Sequence, residues 1–152
     1  MENVKGTMAL GSAGAVAKGL HSYFMSEHSV ASGDIKVGNF VQTDITKTDC
    51  IKDVTAGVTG KIVGVALKGA YKDAVNTTDS YSAGENVEYI IKGAVFVKSP
   101  VVATKNQFVF VNTSTGALNV SNTNTLASHT YTGFKVLIGC DSADSMIAII
   151  SE

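Results

Sequence analysis

The sequence predicts an all-β fold: a small β-barrel or β-sandwich of two related halves, preceded by an N-terminal arm. Three observations predict it. From Asp34 onward the chain turns to Val, Ile, Thr, Phe and Tyr, which suit a pleated, half-buried surface. Several runs are apolar on both faces, so each side must be covered by a second sheet, a closed barrel or another subunit. One order of strands and loops also recurs along the chain. A length of 152 residues is about one domain, long enough to bury its own core.

Residues 1–33 form the arm. They are rich in Gly and Ala and carry no extended β pattern. A short helix fits over Ala13 to Met25, where Val16, Leu20 and Phe24 share one face at four-residue spacing. Gly14 and Gly19 weaken it by roughly 1 kcal/mol each. Two readings stand side by side: a helix packed on its own domain, or an arm that orders on a neighbouring subunit.

The β domain spans residues 34–152, with halves at about 34–98 and 102–152. Strands are expected at Lys36 to Thr43, Lys61 to Leu67, Asn86 to Lys98, Gln107 to Asn112, Ala117 to Val120, Phe134 to Cys140 and Met146 to Ile150. Val87, Tyr89 and Ile91 alternate with Glu88 and Lys92, and Gly93 marks a bulge or bend in that run. Pro100, the one proline, falls between strands, where a missing N–H does least harm. Phe108 and Phe110 alternate with Val109 and Val111, and Phe108 is expected in the core. Thr113-Ser-Thr-Gly116 reads as a hairpin turn with Gly116 at positive φ. Ala70 to Gly84 and Ser121 to Thr132 are polar and should be exposed loops.

The recurrence is visible in short stretches. Asn39-Phe-Val-Gln42 is similar to Gln107-Phe-Val-Phe110. Thr59-Gly-Lys-Ile-Val-Gly-Val65 is similar to Thr132-Gly-Phe-Lys-Val-Leu-Ile-Gly-Cys140. Each is followed by an apolar strand, Val87 to Ile91 and Met146 to Ile150.

Composition argues against several kinds of function. Apolar residues make up 45% and charged residues 16%, which opposes disorder and suits a surface hidden against partners. Net charge is −1, and all 12 basic residues are scattered lysines. Without the arginine fork or a basic run, nucleic acid is not an expected partner. No apolar stretch reaches the ~18 residues of a membrane helix, so no membrane partner is expected. The segment after Met1-Glu-Asn-Val-Lys5 is too rich in Gly and Ser for a secretory signal, which points to synthesis in a cytoplasm. Cys50 and Cys140 form no C-x-x-C pair and read as free, partly buried thiols.

Catalytic patterns fail on inspection. Gly11-Ser-Ala-Gly14 is one residue short of a nucleophile elbow. Gly14-Ala-Val-Ala-Lys-Gly19 puts its lysine before the glycine that should precede it in a phosphate loop. His21, His28 and His129 have no thiol or carboxylate at ligand spacing, so no metal is expected. Asp141 and Asp144 sit in a turn with too few oxygen ligands for calcium. No cofactor is expected, and the protein is not expected to be an enzyme. Tyr71, Tyr81 and Tyr131 lie in or beside the two polar loops, which keeps a carbohydrate-binding module open.

Ser32-Gly-Asp34, Phe40-Val41, Val63-Gly-Val-Ala66 and Gly84-Glu-Asn-Val-Glu-Tyr89 with Gly93 resemble the first half of phage capsid cement, or head decoration, proteins. Phe108-Val109, Thr115-Gly-Ala-Leu118, Val136-Leu-Ile-Gly139 and Met146-Ile-Ala-Ile149 resemble the second half. The resemblance covers roughly residues 32–150. It implies a virion structural protein on the outer capsid surface that binds the major capsid protein, and itself as a trimer, to decorate or stabilise the head. The apolar arm residues Met8, Leu10, Val16, Leu20, Phe24 and Met25 are then the expected contacts with capsid or neighbouring subunit. A tail-tube or fibre-base subunit is the alternative within the virion.

Overall fold

The structure is a computed structural model, and it describes residues 11–21, 23–68 and 80–152. The described residues form eleven strands and no helix. They are β1 (Met25–Ala31), β2 (Ile35–Lys36), β3 (Phe40–Thr43), β4 (Cys50–Asp53), β5 (Ile62–Ala66), β6 (Ser80–Tyr81), β7 (Asn86–Ser99), β8 (Phe108–Asn112), β9 (Leu118–Ser121), β10 (His129–Ile138) and β11 (Ser145–Ser151). Nine of these make one sheet in the order β1-β4-β3-β5-β7-β11-β10-β8-β9, and β2 pairs with β6.

The sheet closes on itself at one end. β1 runs parallel to β4 through Val30 and Cys50, and antiparallel to β7 from Met25 to Val30. Strands β1, β4, β3, β5 and the first part of β7 therefore form a ring. Ala31, Val41, Ile51, Ala66, Val87 and Tyr89 fill it, with Ile35, Val37 and Tyr81 brought in by the β2–β6 pair. The opposite face of the ring presents Phe40, Val65 and Ile90 to the second part of the sheet. There they meet Val97, Val109, Val111, Phe134, Val136, Ile147 and Ile149, in a second and larger core. The molecule is thus a small barrel packed against an open sheet, with β7 shared between them.

Gly93 is where β7 changes partners. Lys92 still faces Met25 of β1, while Ala94 faces Ile150 of β11. Gly93 has φ +108, and a Cβ there would lie 2.6 Å from the Cβ of Phe24. Only glycine lets the crossing chain come this close. The expected bend in this strand is therefore present.

The expected helix over Ala13 to Met25 is not formed. Its backbone is used by β7 instead: Gly14 N–H donates to Phe96 O at 2.8 Å, Phe96 N–H to Ala15 O at 3.0 Å, and Ala17 N–H to Ala94 O at 2.9 Å. These bonds, with the bridge between Val16 and Val95, add an extra short strand beside β7. A helix would need the same donors internally, and the sheet edge offers better partners than a glycine-weakened helix. The 33-residue arm boundary lies beyond the end of β1, so seven residues of that segment belong to the ring.

Other expectations shift in detail. The run from Lys36 to Thr43 splits into β2 and β3 around Gly38, which has φ +89. Strands β1, β4 and β6 were not expected, and β6 falls inside the polar stretch Ala70 to Gly84, most of which lies outside the described residues. Phe108 is half-buried on the outer face of the open sheet, not in the core; Phe110 is the fully buried aromatic of β8, at 1% exposure. The Thr113–Gly116 turn forms as expected, with Gly116 at φ +72 and its N–H on Asn112 O at 2.8 Å.

Candidate functional site

The exposed large apolar side chains, which are the candidates for contact, stand on or between the strands of a hydrogen-bonded β scaffold. Gln42 of β3 is fully buried and uses all of its amide. Its Nε2 donates to Asp53 O at 3.0 Å and Gly57 O at 2.8 Å, while its Oε1 accepts from the N–H groups of Thr59 and Gly60, both at 2.8 Å. One side chain thereby fixes the connection between β4 and β5. That connection in turn holds the β8–β9 turn: Val58 N–H donates to Thr113 O at 2.8 Å, and Gly116 packs on the backbone of Val54. No buried side-chain polar atom among the described residues lacks a hydrogen-bond partner.

The second half uses a different device at the equivalent place. A bulge between Tyr131 and Lys135 shifts the β8–β10 register. Thr132 Oγ1 donates to Val109 O at 2.8 Å and accepts from Phe134 N–H at 3.2 Å. Phe134 is thereby turned inward onto Phe40, with ring centroids 5.7 Å apart. Tyr131 and Lys135 stay on the outer face. There Tyr131 meets Phe108 at 5.6 Å and Phe110 at 5.5 Å, and Lys135 Nζ sits 4.8 Å above the Phe108 ring. Partial burial raises the Tyr131 hydroxyl pKa.

Four of the six sequence-predicted contact residues lie among the described residues, and they separate. Val16 and Phe24 pack against the larger core, and Leu20 joins Ala17, Ala94, Phe96 and Ala148 on the outer face of the open sheet. Lys18 Nζ lies 5.3 Å over the Phe24 ring. Met25 is 44% exposed. Tyr23, two residues before it, is also exposed and edge-on to His21; it lies off the helical face of Val16, Leu20 and Phe24, and no helix forms here. Met8 and Leu10 lie outside the described residues.

Apolar exposure elsewhere is concentrated at a few points: Val30 on β1, Val102 after β7, Tyr131 on β10 and Ile45 in the β3–β4 turn. Ile45 is the most exposed of all, at 68%. Its neighbour Asp44 accepts from the Thr46 hydroxyl at 2.7 Å and the Thr46 N–H at 2.8 Å. The hydroxyls of Thr46 and Ser32, then the Thr46 N–H, hold the Asp44 carboxyl well below the usual carboxylate range. The surface also holds two shallow recesses. One, of about 220 Å³, lies where the two halves meet; the other, of about 430 Å³, lies along Ala103–Lys105 and Leu137–Gly139.

Nothing among the described residues gathers three metal-ligating side chains, and they form no helix long and apolar enough to cross a membrane. Cys50 and Cys140 are free thiols, half-buried and buried. Tyr81, one of the three tyrosines suggested for sugar stacking, is buried and donates its hydroxyl to Leu67 O at 2.7 Å. Tyr71 lies outside the described residues, which leaves Tyr131.

Comparison with known proteins agrees with the β architecture. In structure the chain is similar to a chain from the capsid of Myoviridae phage XM1, with TM-score 0.64 and 17% identity over 91% of this chain and 88% of that one. It is also similar to the head fiber gp8.5 N base of bacteriophage phi29, with TM-score 0.51 and 8% identity over 86% of this chain and 95% of that one. At such identities both likenesses concern the fold. No curated protein matches in sequence. The family model for structural cement protein (E217 gp24/Pam3 gp6) matches residues 2–151. The chain therefore belongs to the phage structural cement family and is a virion structural protein that binds the capsid and stabilises the head.

Proposed function

We propose that the chain sits on the outer surface of the head, binds the major capsid protein there, and does so as a trimer without catalysis. It is made in the host cytoplasm and acts by contact area alone. The family match over residues 2–151 carries this reading. The structure supports it with a scaffold whose buried side-chain polar atoms, among the described residues, are all hydrogen-bonded, and which leaves a few large apolar side chains in water. A ligand of the assembled shell that ignores free subunits stabilises assembly by linkage, by about 2.7 kcal/mol per site at a hundredfold excess over Kd. Symmetry then multiplies modest contacts into avidity.

The contact we propose is the extended segment at the start of β1, through Tyr23 and Met25, together with Met8 and Leu10 from the sequence preceding it. Val16, Leu20 and Phe24 have partners in their own domain and would support that contact from beneath. The test is addition of purified protein to heads that lack it, followed by sedimentation and thermal disruption of the heads. Co-sedimentation and a higher disruption temperature are expected, both reduced by Tyr23→Asp with Met25→Asp. Binding to tails alone would replace this reading with a tail or fibre-base role, and saturable glycan binding without head binding would replace it with a sugar-binding one.

A further inference from the structure

We propose that Ile45 of one copy seats in the hollow between the two halves of a second copy, so that the protein associates with itself head to tail. The hollow is floored by Phe40, Val54, Val97 and Leu118 and rimmed by Thr115 and Lys98. Its volume of about 220 Å³ is below the ~300–1,000 Å³ of small-molecule sites and suits one aliphatic side chain. Ile45 is the most exposed large apolar side chain described, on a tight turn that presents it outward. A single exposed aliphatic needs no explanation by itself. The matching hollow in the same chain, and their placement, supply one.

That placement excludes contact within one copy. Phe40 and Val54 mark the open end of the β3–β4 hairpin, and Ile45 lies in the turn at its closed end. Five residues of strand, roughly 15 Å, separate them. The two features can meet only between copies. Such a contact joins unlike surfaces, so it closes into a ring where the rotation allows.

Charge agrees with the pairing. Asp44 and Asp49 flank Ile45, with Lys47 the one cation of the turn, and Lys98 is the charged residue at the hollow. The hydroxyls of Thr46 and Ser32 hold the Asp44 carboxyl below the usual carboxylate range, which favours its charged form. Backbone hydrogen bonds also pin the turn: Cys50 N–H donates to Lys47 O and Asp44 N–H donates to Cys50 O. Little ordering is left to be done on docking.

The inference deepens the self-association part of the proposed function and is tested without capsid, so either can fail alone. Analytical ultracentrifugation of the full chain up to about 1 mM reaches contacts as weak as this small area implies. Ile45→Asp removes the knob and Ala117→Trp, at an exposed rim position, blocks the hollow; thermal melting shows that each still folds. Concentration-dependent association of the wild type, weakened about thirtyfold or more in either variant, is expected. A mixture of the two variants should form 1:1 pairs, because each retains the half the other lacks. A monomeric wild type at every concentration would overturn the proposal. So would variants that associate normally, or a mixture that does not pair. Loss of capsid binding by Ala117→Trp with a monomeric wild type would assign the hollow to a capsid side chain instead.

Discussion

Replacing Gln42 by leucine keeps much of the side-chain shape and removes four hydrogen bonds at once. The groups left behind are the carbonyls of Asp53 and Gly57 and the N–H groups of Thr59 and Gly60. Their exposure decides the cost. Thr59 is exposed and can turn to water, Gly57 is buried and counts in full, and Asp53 and Gly60 are both half-buried and count about half each, which makes about two stranded groups. A stranded buried group costs about 1–3 kcal/mol, and two of them cost about 2–6. The added apolar surface returns roughly 1 kcal/mol. A net loss of about 3 kcal/mol follows, or about 6–12 °C in Tm for a chain of this length. Gln42→Glu adds a sign. Its carboxylate keeps the two N–H donors but faces two carbonyls, so burial and those carbonyls favour the protonated form in the folded state. That variant should lose stability as pH rises above about 4, where the unfolded chain gives up the proton first. Urea unfolding at two pH values measures both effects. A loss below about 1 kcal/mol for Gln42→Leu would mean that the β4–β5 connection is not held by this side chain.

Phe110→Ala should cost about 3–5 kcal/mol, as a fully buried aromatic does, while Phe108→Ala on the outer face should cost about 1–2; equal losses in chemical denaturation would place the core wrongly. The Asp44 carboxyl should titrate, by NMR, below the ordinary ~3.9 of aspartate, and Thr46→Val should raise its midpoint. Because that pKa is depressed in the fold, its contribution is present above the ordinary value and lost only as pH falls through the folded one. Deleting residues through Ala31 removes β1 and opens the ring, so the cooperative unfolding transition should disappear; a sharp transition in the truncated chain would show that four strands suffice.

What the sequence shows depends on which force sets each element. The strands of the second half are legible because their residues are apolar, β-branched and bounded by Gly, Pro or polar turns. Strand β4, Cys50 to Asp53, carries one buried side chain and gives no alternation to read. Strand β1 is mostly polar because its outward face meets water and part of its inward face meets Tyr89, whose hydroxyl lies 3.4 Å from Glu27 and 3.5 Å from Ser29. Its place is set by pairing with β7, a long-range fact that local pattern does not carry. The same edge draws residues 13–17 out of a helix. Of the apolar arm residues that the sequence offers for contact, Met25 is one that the fold leaves exposed. Val16, Leu20 and Phe24 carried the same signal but serve their own domain, since an apolar side chain looks alike whether it faces a neighbour or its own sheet.

We read the two halves as copies of one unit, and the strand order supports this. From the β7–β11 junction it runs outward as β5-β3-β4 on one side and β10-β8-β9 on the other. The leading strands β3 and β8 match without a gap, so Asp44 and Asn112 stand at the same place, although the β3–β4 connection is one residue longer than the β8–β9 one. Each accepts from backbone N–H groups of the turn that follows, Asp44 from Thr46 and Asn112 from Ser114 and Thr115. At the next inward position the halves part: Gln42 in one is Phe110 in the other. The polar residue clamps the β4–β5 connection, and the aromatic one anchors Tyr131 on an outer face. Closure differs as well. β1 completes a ring around the first half, and nothing equivalent among the described residues covers β9. That edge is short, and Asn119 Oδ1 accepts the Val120 N–H at 2.9 Å, which blunts it against strand addition. With β1 closing one end and a side chain capping the other, stacking strand on strand is disfavoured at both. The contact proposed between Ile45 and the hollow runs through side chains and needs neither of these edges.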